Sequence, residues 1–120
     1  MPAGVQQDAF AYLLDIFPTL GALAHVPQPD GSEGKSLAGV IAGKEPRVRD
    51  EVFLGYTQTQ RSLRDDRWKL LRFPQINVTH LFDLQTDPHE TKNLADQPEQ
   101  KDRVATMLAR LAQAQAQWGD

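Results

Sequence analysis

The chain has no cysteine among its 120 residues. That excludes disulfides and thiolate metal sites. No apolar stretch approaches the roughly 20 residues that a membrane span needs. No basic run interleaved with aromatics occurs and the net charge is −3, so no nucleic-acid face is indicated. Met1-Pro2-Ala3-Gly4 lacks the basic start and apolar core of an export leader. A soluble chain is expected, and its compartment stays open. No internal repeat is visible. The length suits one small domain with an ordinary apolar fraction.

What is present reads as a run of strands followed by a helix. Residues 1–8 are expected to be a loose start. Phe10, Leu13, Leu14, Phe17, Leu20 and Leu23 recur at helical spacing. Pro18 in that series predicts a helix over 15–25, with Asp15 as N-cap and the proline still in the first turn. Residues 9–14 are then extended. Val26 to Gly31 is loop, Ser36 to Ala42 one or two helical turns, and Lys44 to Arg47 a second loop. Residues 51–84 read as a meander with strands at Glu51–Tyr56, Gln60–Arg64, Trp68–Phe73 and Ile76–Leu84. Their short links favour antiparallel pairing. One face should carry Trp68, Leu70 and Leu63, with the polar face outside. The final helix has Asp96 as N-cap, an early Pro98 and the acidic Glu99. Its stripe is Val104, Met107, Leu108, Leu111, Gln115 and Trp118, which should lie on the sheet. The expected class is α+β: a roughly four-stranded antiparallel sheet packed against a long C-terminal helix, preceded by an N-terminal helical and loop segment.

The densest punctuation lies in Leu81-Phe82-Asp83-Leu84-Gln85-Thr86-Asp87-Pro88-His89-Glu90-Thr91-Lys92-Asn93-Leu94. Asp87 before Pro88 favours a turn, because proline excludes the helical region for the residue before it. Asp87 can accept backbone N–H bonds, Glu90 can reach back in the manner of a capping box, and Asn93 is a turn former. Backbone organisation is the plainer reading of all three.

Several tempting motifs fail. Gly34-Lys35-Ser36 would need a glycine where Pro29 stands to be a phosphate loop. His25, His80 and His89 lack helix-face ligand spacing; His89 beside Asp87 and Glu90 is a turn histidine. Asn77-Val78-Thr79 is a coincidental sequon in a cysteine-free chain.

The stretch from Leu81 to Leu94 resembles the C-terminal subdomain of sulfatases of the alkaline-phosphatase-like superfamily. Asp15-Ile16-Phe17-Pro18-Thr19-Leu20 is similar to the family's D-[IL]-[FAY]-P-T-L segment. Gly31 with Gly34-Lys35-Ser36-Leu37 resembles its D-G-x-S-L stretch. Arg61-Ser62-Leu63-Arg64 and Arg67-Trp68-Lys69-Leu70-Leu71 resemble its R-x-[VIL]-R-x-x-x-[WY]-K hairpin. The resemblance covers roughly residues 10–118. It departs at Gly21-Ala22, where family members usually carry leucine and an acidic residue, and at His25, where glycine is usual. The structural motif residues are Asp15, Pro18, Asp83, Asp87, Pro88, Glu90 and Asn93.

The resemblance implies two parts. Residues 1–50 would face a missing N-terminal catalytic domain, and residues 51–120 would form the subdomain itself. It also implies sulfate-ester hydrolysis by the whole enzyme, with calcium and a formylglycine made from [CS]-x-P-x-R. No such motif occurs here. Ser32, Ser36 and Ser62 are followed two residues later by Gly34, Ala38 and Arg64. Asp65-Asp66 looks like a metal pair but sits in a hairpin turn. No catalytic residue, metal ligand or cofactor is therefore expected in this chain, and alone it should be inactive. By resemblance Arg61, Arg64 or His80 could face a sulfated substrate, since arginine matches sulfate oxygens bidentately; charge that keeps a strand soluble is the plainer reading. Apolar surface around Phe10, Leu13 and Phe17 is expected where the missing domain would sit, or where a homodimer could form. Full-length bacterial relatives are often periplasmic or exported. A free-standing interaction module and a related phosphatase or phosphonate hydrolase stay open as alternatives.

Overall fold

The computed structural model describes residues 4–120. Residues 1–3, part of the expected loose start and of the Met1–Gly4 stretch read as lacking leader features, lie outside the described residues. The fold is α+β and divides into two compact units, Met1–Asp50 and Glu51–Asp120.

The second unit is a four-stranded antiparallel meander of spatial order β1-β2-β3-β4 with one long helix. β1 spans Val52–Tyr56, β2 Gln60–Arg64, β3 Trp68–Phe73 and β4 Val78–Asp83. β4 starts later than its apolar run suggests. Pro74–Ile76 forms a 3-10 turn, and Asn77 takes the left-handed conformation at φ 54°, which asparagine tolerates better than most residues. Pairing sets Phe53 opposite Leu63, Leu63 opposite Leu70, and Leu70 opposite Leu81. The three leucines are fully buried on one face. α3, Lys101–Trp118, covers that face with Met107, Leu111 and Ala114. Trp68 joins the same core.

Two details of the helix differ from the sequence reading. A 3-10 turn at Pro98–Gln100 leads into α3, and no side-chain cap closes either start, so Asp96 is not the N-cap. The inner stripe also includes Ala114 where Gln115 was expected; Gln115 instead donates to Asp120 at 2.9 Å. Helix periodicity alone cannot choose between adjacent positions at the stripe edge, and the small side chain lets the helix sit close. The opposite sheet face is not the polar one expected. Phe82 and Ser62 are buried there, with Leu71 and Phe73 half-buried.

The first unit is built around a charge. A 3-10 turn at Leu13–Asp15 precedes α1, Ile16–Leu23; a short α2 spans Ala38–Ile41. Among the described residues of this unit, Asp15, Pro18, Thr19 and Val40 are the buried ones. Asp15 does not cap α1 with its side chain. Its carboxylate points back and accepts from the Tyr12 amide at 2.7 Å and the Lys35 amide at 2.8 Å. Arg49 donates to both its oxygens through Nη1 and Nη2, the latter at 2.7 Å. Arg49 also donates to the Phe10 carbonyl and lies over the Tyr12 ring at 4.5 Å. Thr19 Oγ1 donates to the Asp15 carbonyl and accepts from the Leu37 amide at 2.9 Å. The strand of chain carrying Lys35 runs so near α1 that a Cβ on Gly34 would lie 2.2 Å from the Leu14 carbonyl oxygen, so only glycine fits.

Two residues past the end of α1 stands His25, whose φ is 56°. The Val26 amide reaches back to the Gly21 carbonyl at 2.8 Å, a six-to-one closure that glycine serves best. His25→Gly is therefore expected to stabilise this unit by about 0.5–1 kcal/mol, because a non-glycine residue pays roughly 1–2 kcal/mol in that region and glycine loses part of the gain as chain entropy. Slower amide exchange at Val26 would register the gain; faster exchange would contradict it.

Candidate functional site

β2 decides which candidates share a face. Successive side chains alternate across a strand, so Arg61 and Leu63 lie on one face and Ser62 and Arg64 on the other. Arg61 is on the α3 side. Its Nε and Nη2 meet the Asp120 carboxylate, and its Nη1 donates to the carbonyls of Thr57 at 2.7 Å and Gln60 at 2.9 Å. That fork is occupied from within. Arg61 is thus a clamp between β2 and the residues after α3.

Arg64 and His80 share the other face, on β2 and β4 with β3 between them. Arg64 is exposed. His80 stands opposite Leu71 and between two aromatic rings, edge-on to Phe73 at 5.4 Å and to Phe82 at 6.0 Å. Lys69, opposite Arg64, is held by Glu90 at 2.7 and 2.8 Å. This face therefore carries a histidine in an aromatic setting on β4 and an arginine on β2, with a neutralised lysine on the strand between them. Leu54 and Tyr56 extend it as exposed apolar surface. Such a surface can meet the apolar face of a ring and the charge of an anion.

The loop after β4 holds this face in place. Asn93 Oδ1 accepts from the Leu81 amide at 2.9 Å and the Ala95 amide at 3.0 Å, and the Leu94 amide donates to the Leu81 carbonyl at 2.8 Å. The open side of β4 is thereby closed at Leu81. Asp87 accepts from the Lys92 amide, which above all holds its carboxyl below the usual range, and from Thr91 Oγ1. Pro88 follows directly. Glu90 does not reach back as a capping box would. It takes φ 56° and turns its carboxylate to Lys69, because a long side chain with a nearby cation gains more there than at the Asp87 amide, which already donates to the Asp83 carbonyl.

Asp83, at the end of β4, receives Arg67 bidentately at 2.8 and 3.0 Å. That pairing lowers its pKa. Arg67 and Arg103 both lie over the Trp68 ring, at 5.0 and 4.6 Å. Asp65 accepts from the amides of Arg67 and Trp68 and from Arg110, which also grips Glu51. Asp65-Asp66 is thus a turn with a helix anchor. The Glu51–Arg110–Asp65 and Asp15–Arg49 pairings join positions far apart in sequence, and no spacing signal announces them. Pro18 sits in the first turn of α1 and is buried. Among the described residues no group of three or more His, Cys, Asp or Glu side chains could hold a metal ion, and no helix is long and apolar enough to cross a membrane.

Residues 1–117 match the family model described as N-sulphoglucosamine sulphohydrolase, C-terminal. The chain is similar to an arylsulfatase of Clostridium perfringens, 34% identical over 105 residues, covering 81% of this chain and 21% of the relative. It is 36% identical over 93 residues to a Delta 4,5-hexuronate-2-O-sulfatase of Bacteroides thetaiotaomicron, covering 71% and 19%. Among solved structures, the phosphonate monoester hydrolase of Agrobacterium radiobacter superposes with a TM-score of 0.76 at 25% identity, covering 96% of this chain and 27% of that one. The chain spans about a fifth of the length of these curated relatives.

Proposed function

The chain belongs to the sulfatase C-terminal family, and from that premise we propose that it is the C-terminal part of a sulfate-ester hydrolase whose chemistry lies in residues outside this sequence. The observation that carries the proposal is the match itself: 81% of this chain answers to only 21% of a sulfatase. The first unit supports it. Its centre is a buried ion pair, while Leu13, Ile16, Phe17, Leu20 and Leu23 are more than half exposed. That is the reverse of a self-sufficient fold and suits a segment covered by a catalytic portion.

Calcium and formylglycine belong to the resemblance and not to these residues. The [CS]-x-P-x-R motif from which formylglycine is made does not occur in this sequence. Within the whole enzyme the second unit is a scaffold that presents the Arg64 and His80 face to the edge of the substrate cleft. Arg61, held by Asp120, takes no part. The likeness to a phosphonate monoester hydrolase favours one second reading, in which the same scaffold serves phosphonate or phosphate esters.

The 120-residue chain, purified alone with calcium, is expected to hydrolyse neither aryl sulfate nor phosphonate monoester above a mock purification. Turnover by the chain would overturn the proposal. A native product of this chain's mass and no more would turn the reading to a free-standing interaction module, assembled as a homodimer through α1.

A further inference from the structure

Beside α1 lies an open cavity of about 320 Å³, walled by Phe17, Leu20, Gly21 and Ala24 on the helix and by Val26 and Pro29 on the returning chain. We propose that this cavity is a socket for a bulky apolar side chain of the catalytic portion of the same polypeptide. The inference rests on the reading above and adds where the two portions lock together.

The socket is built by sequence. Gly21 places no side chain on the wall, and the turn at His25 brings Val26–Pro29 back along the helix. Its lining is almost wholly apolar. Gln28 is the one polar side chain there, and its Nε2 is turned to the carbonyls of Ser32 and Gly34, both at 3.3 Å. A small-molecule site would need a few convergent polar groups to orient its ligand, and none converge here. An aromatic or long aliphatic side chain needs only volume and an apolar wall.

The surroundings choose the occupant. From Ile16 to Pro29 there is no Asp, Glu, Lys or Arg. Leu13, 86% exposed, and Ile16 and Leu23 continue the apolar surface beyond the cavity. A covering body must therefore be larger than a ligand. A second copy of this chain is the poorer fit, because an eight-residue helix is only about 12 Å long and a self-paired α1 face falls short of the area a stable dimer needs. The relatives carry some four-fifths of their length outside the matched segment.

The test begins with the intact mass of the native product from its source. A mass of 13.4 kDa overturns this inference and the reading beneath it together. For a longer product, Gly21→Leu and Ala24→Leu fill the socket from two positions on its helix side. Each is expected to lower the melting temperature of the longer polypeptide by about 4 °C or more relative to its effect on the 120-residue chain. The comparison is needed because a Cβ at Gly21 already lies 3.3 Å from the Val26 carbonyl oxygen and disturbs both alike. Equal shifts in the two polypeptides, for both variants, would overturn the socket and leave the sulfatase reading standing. So would a dimer of the 120-residue chain that either variant dissolves while the longer polypeptide is unaffected.

Discussion

Asp15→Ala is expected to cost the first unit roughly 3–5 kcal/mol, the range for leaving one member of a buried ion pair alone. The Asp15 side chain is fully buried and that of Arg49 only 9% exposed. Alanine would strand the Arg49 guanidinium and take the Asp15 carboxylate away from the amides of Tyr12 and Lys35. Arg49→Ala should cost a similar amount by stranding the carboxylate. Replacing both with leucine should cost less than the sum, since the charges vanish together, yet more than nothing, since the two amides still lose the carboxylate. Amide exchange at Tyr12 and Lys35 reads this directly. Protection unchanged in Asp15→Ala would show that the clasp does not hold the unit.

The same carboxylate sets a pH dependence. Burial pushes the Asp15 carboxyl up; hydrogen bonds from Arg49, Lys35 and Tyr12, with the Arg49 charge, outweigh it and leave the pKa below the ordinary 3.8. A folded pKa lowered in this way gives stability that is present above the unfolded value and lost as pH falls through the folded one. The amides of Tyr12 and Lys35 should therefore keep their protection at neutral pH and lose it only below about pH 4. Arg49→Ala should weaken that acid dependence.

Leu70→Ala is the second large effect, at about 3–5 kcal/mol from the second unit. Leu70 is fully buried on an inner strand, with Leu63 and Leu81 directly opposite on either side and α3 above. Two hydrogen-bonded ladders hold its neighbours apart, so the cavity cannot collapse, and the cost should lie towards the upper end of the Leu→Ala range. Denaturation followed by the fluorescence of Trp68, in the same core, measures it. A loss under about 1 kcal/mol would mean that the core is not packed as described. Leu23→Ala, at a site 53% exposed, is the control and should change the 120-residue chain by less than about 0.5 kcal/mol.

How much could be read in advance depends on whether the signal is local. β2 and β3 have the bounds their sequences suggest, because the Asp65-Asp66 turn and Pro74 end the runs by backbone chemistry. Leu63 and Leu70 face the core by strict alternation. Arg61, Arg64 and His80 were legible as candidates, and the same alternation shows that Arg61 parts from the others. What holds Arg61 was not legible, because Asp120 is 59 residues away. Glu90 was misread for the same reason: its partner Lys69 is 21 residues back. Phe82 and Ser62 are buried on a face expected to be polar, because residue type on a strand does not say what covers it.

The sequence by itself determined the elements, their antiparallel order, the apolar stripe of α3 and the sulfatase resemblance, since all of these follow from short-range periodicity, turn chemistry and spacing. Only the tertiary structure decided that Asp15 is the centre of a clasp and not a cap, that Asp120 fills the Arg61 fork, and that Gly21 opens a socket. Those outcomes depend on which distant groups meet. A buried charge takes whatever donors the fold brings to it, and no local pattern encodes that meeting.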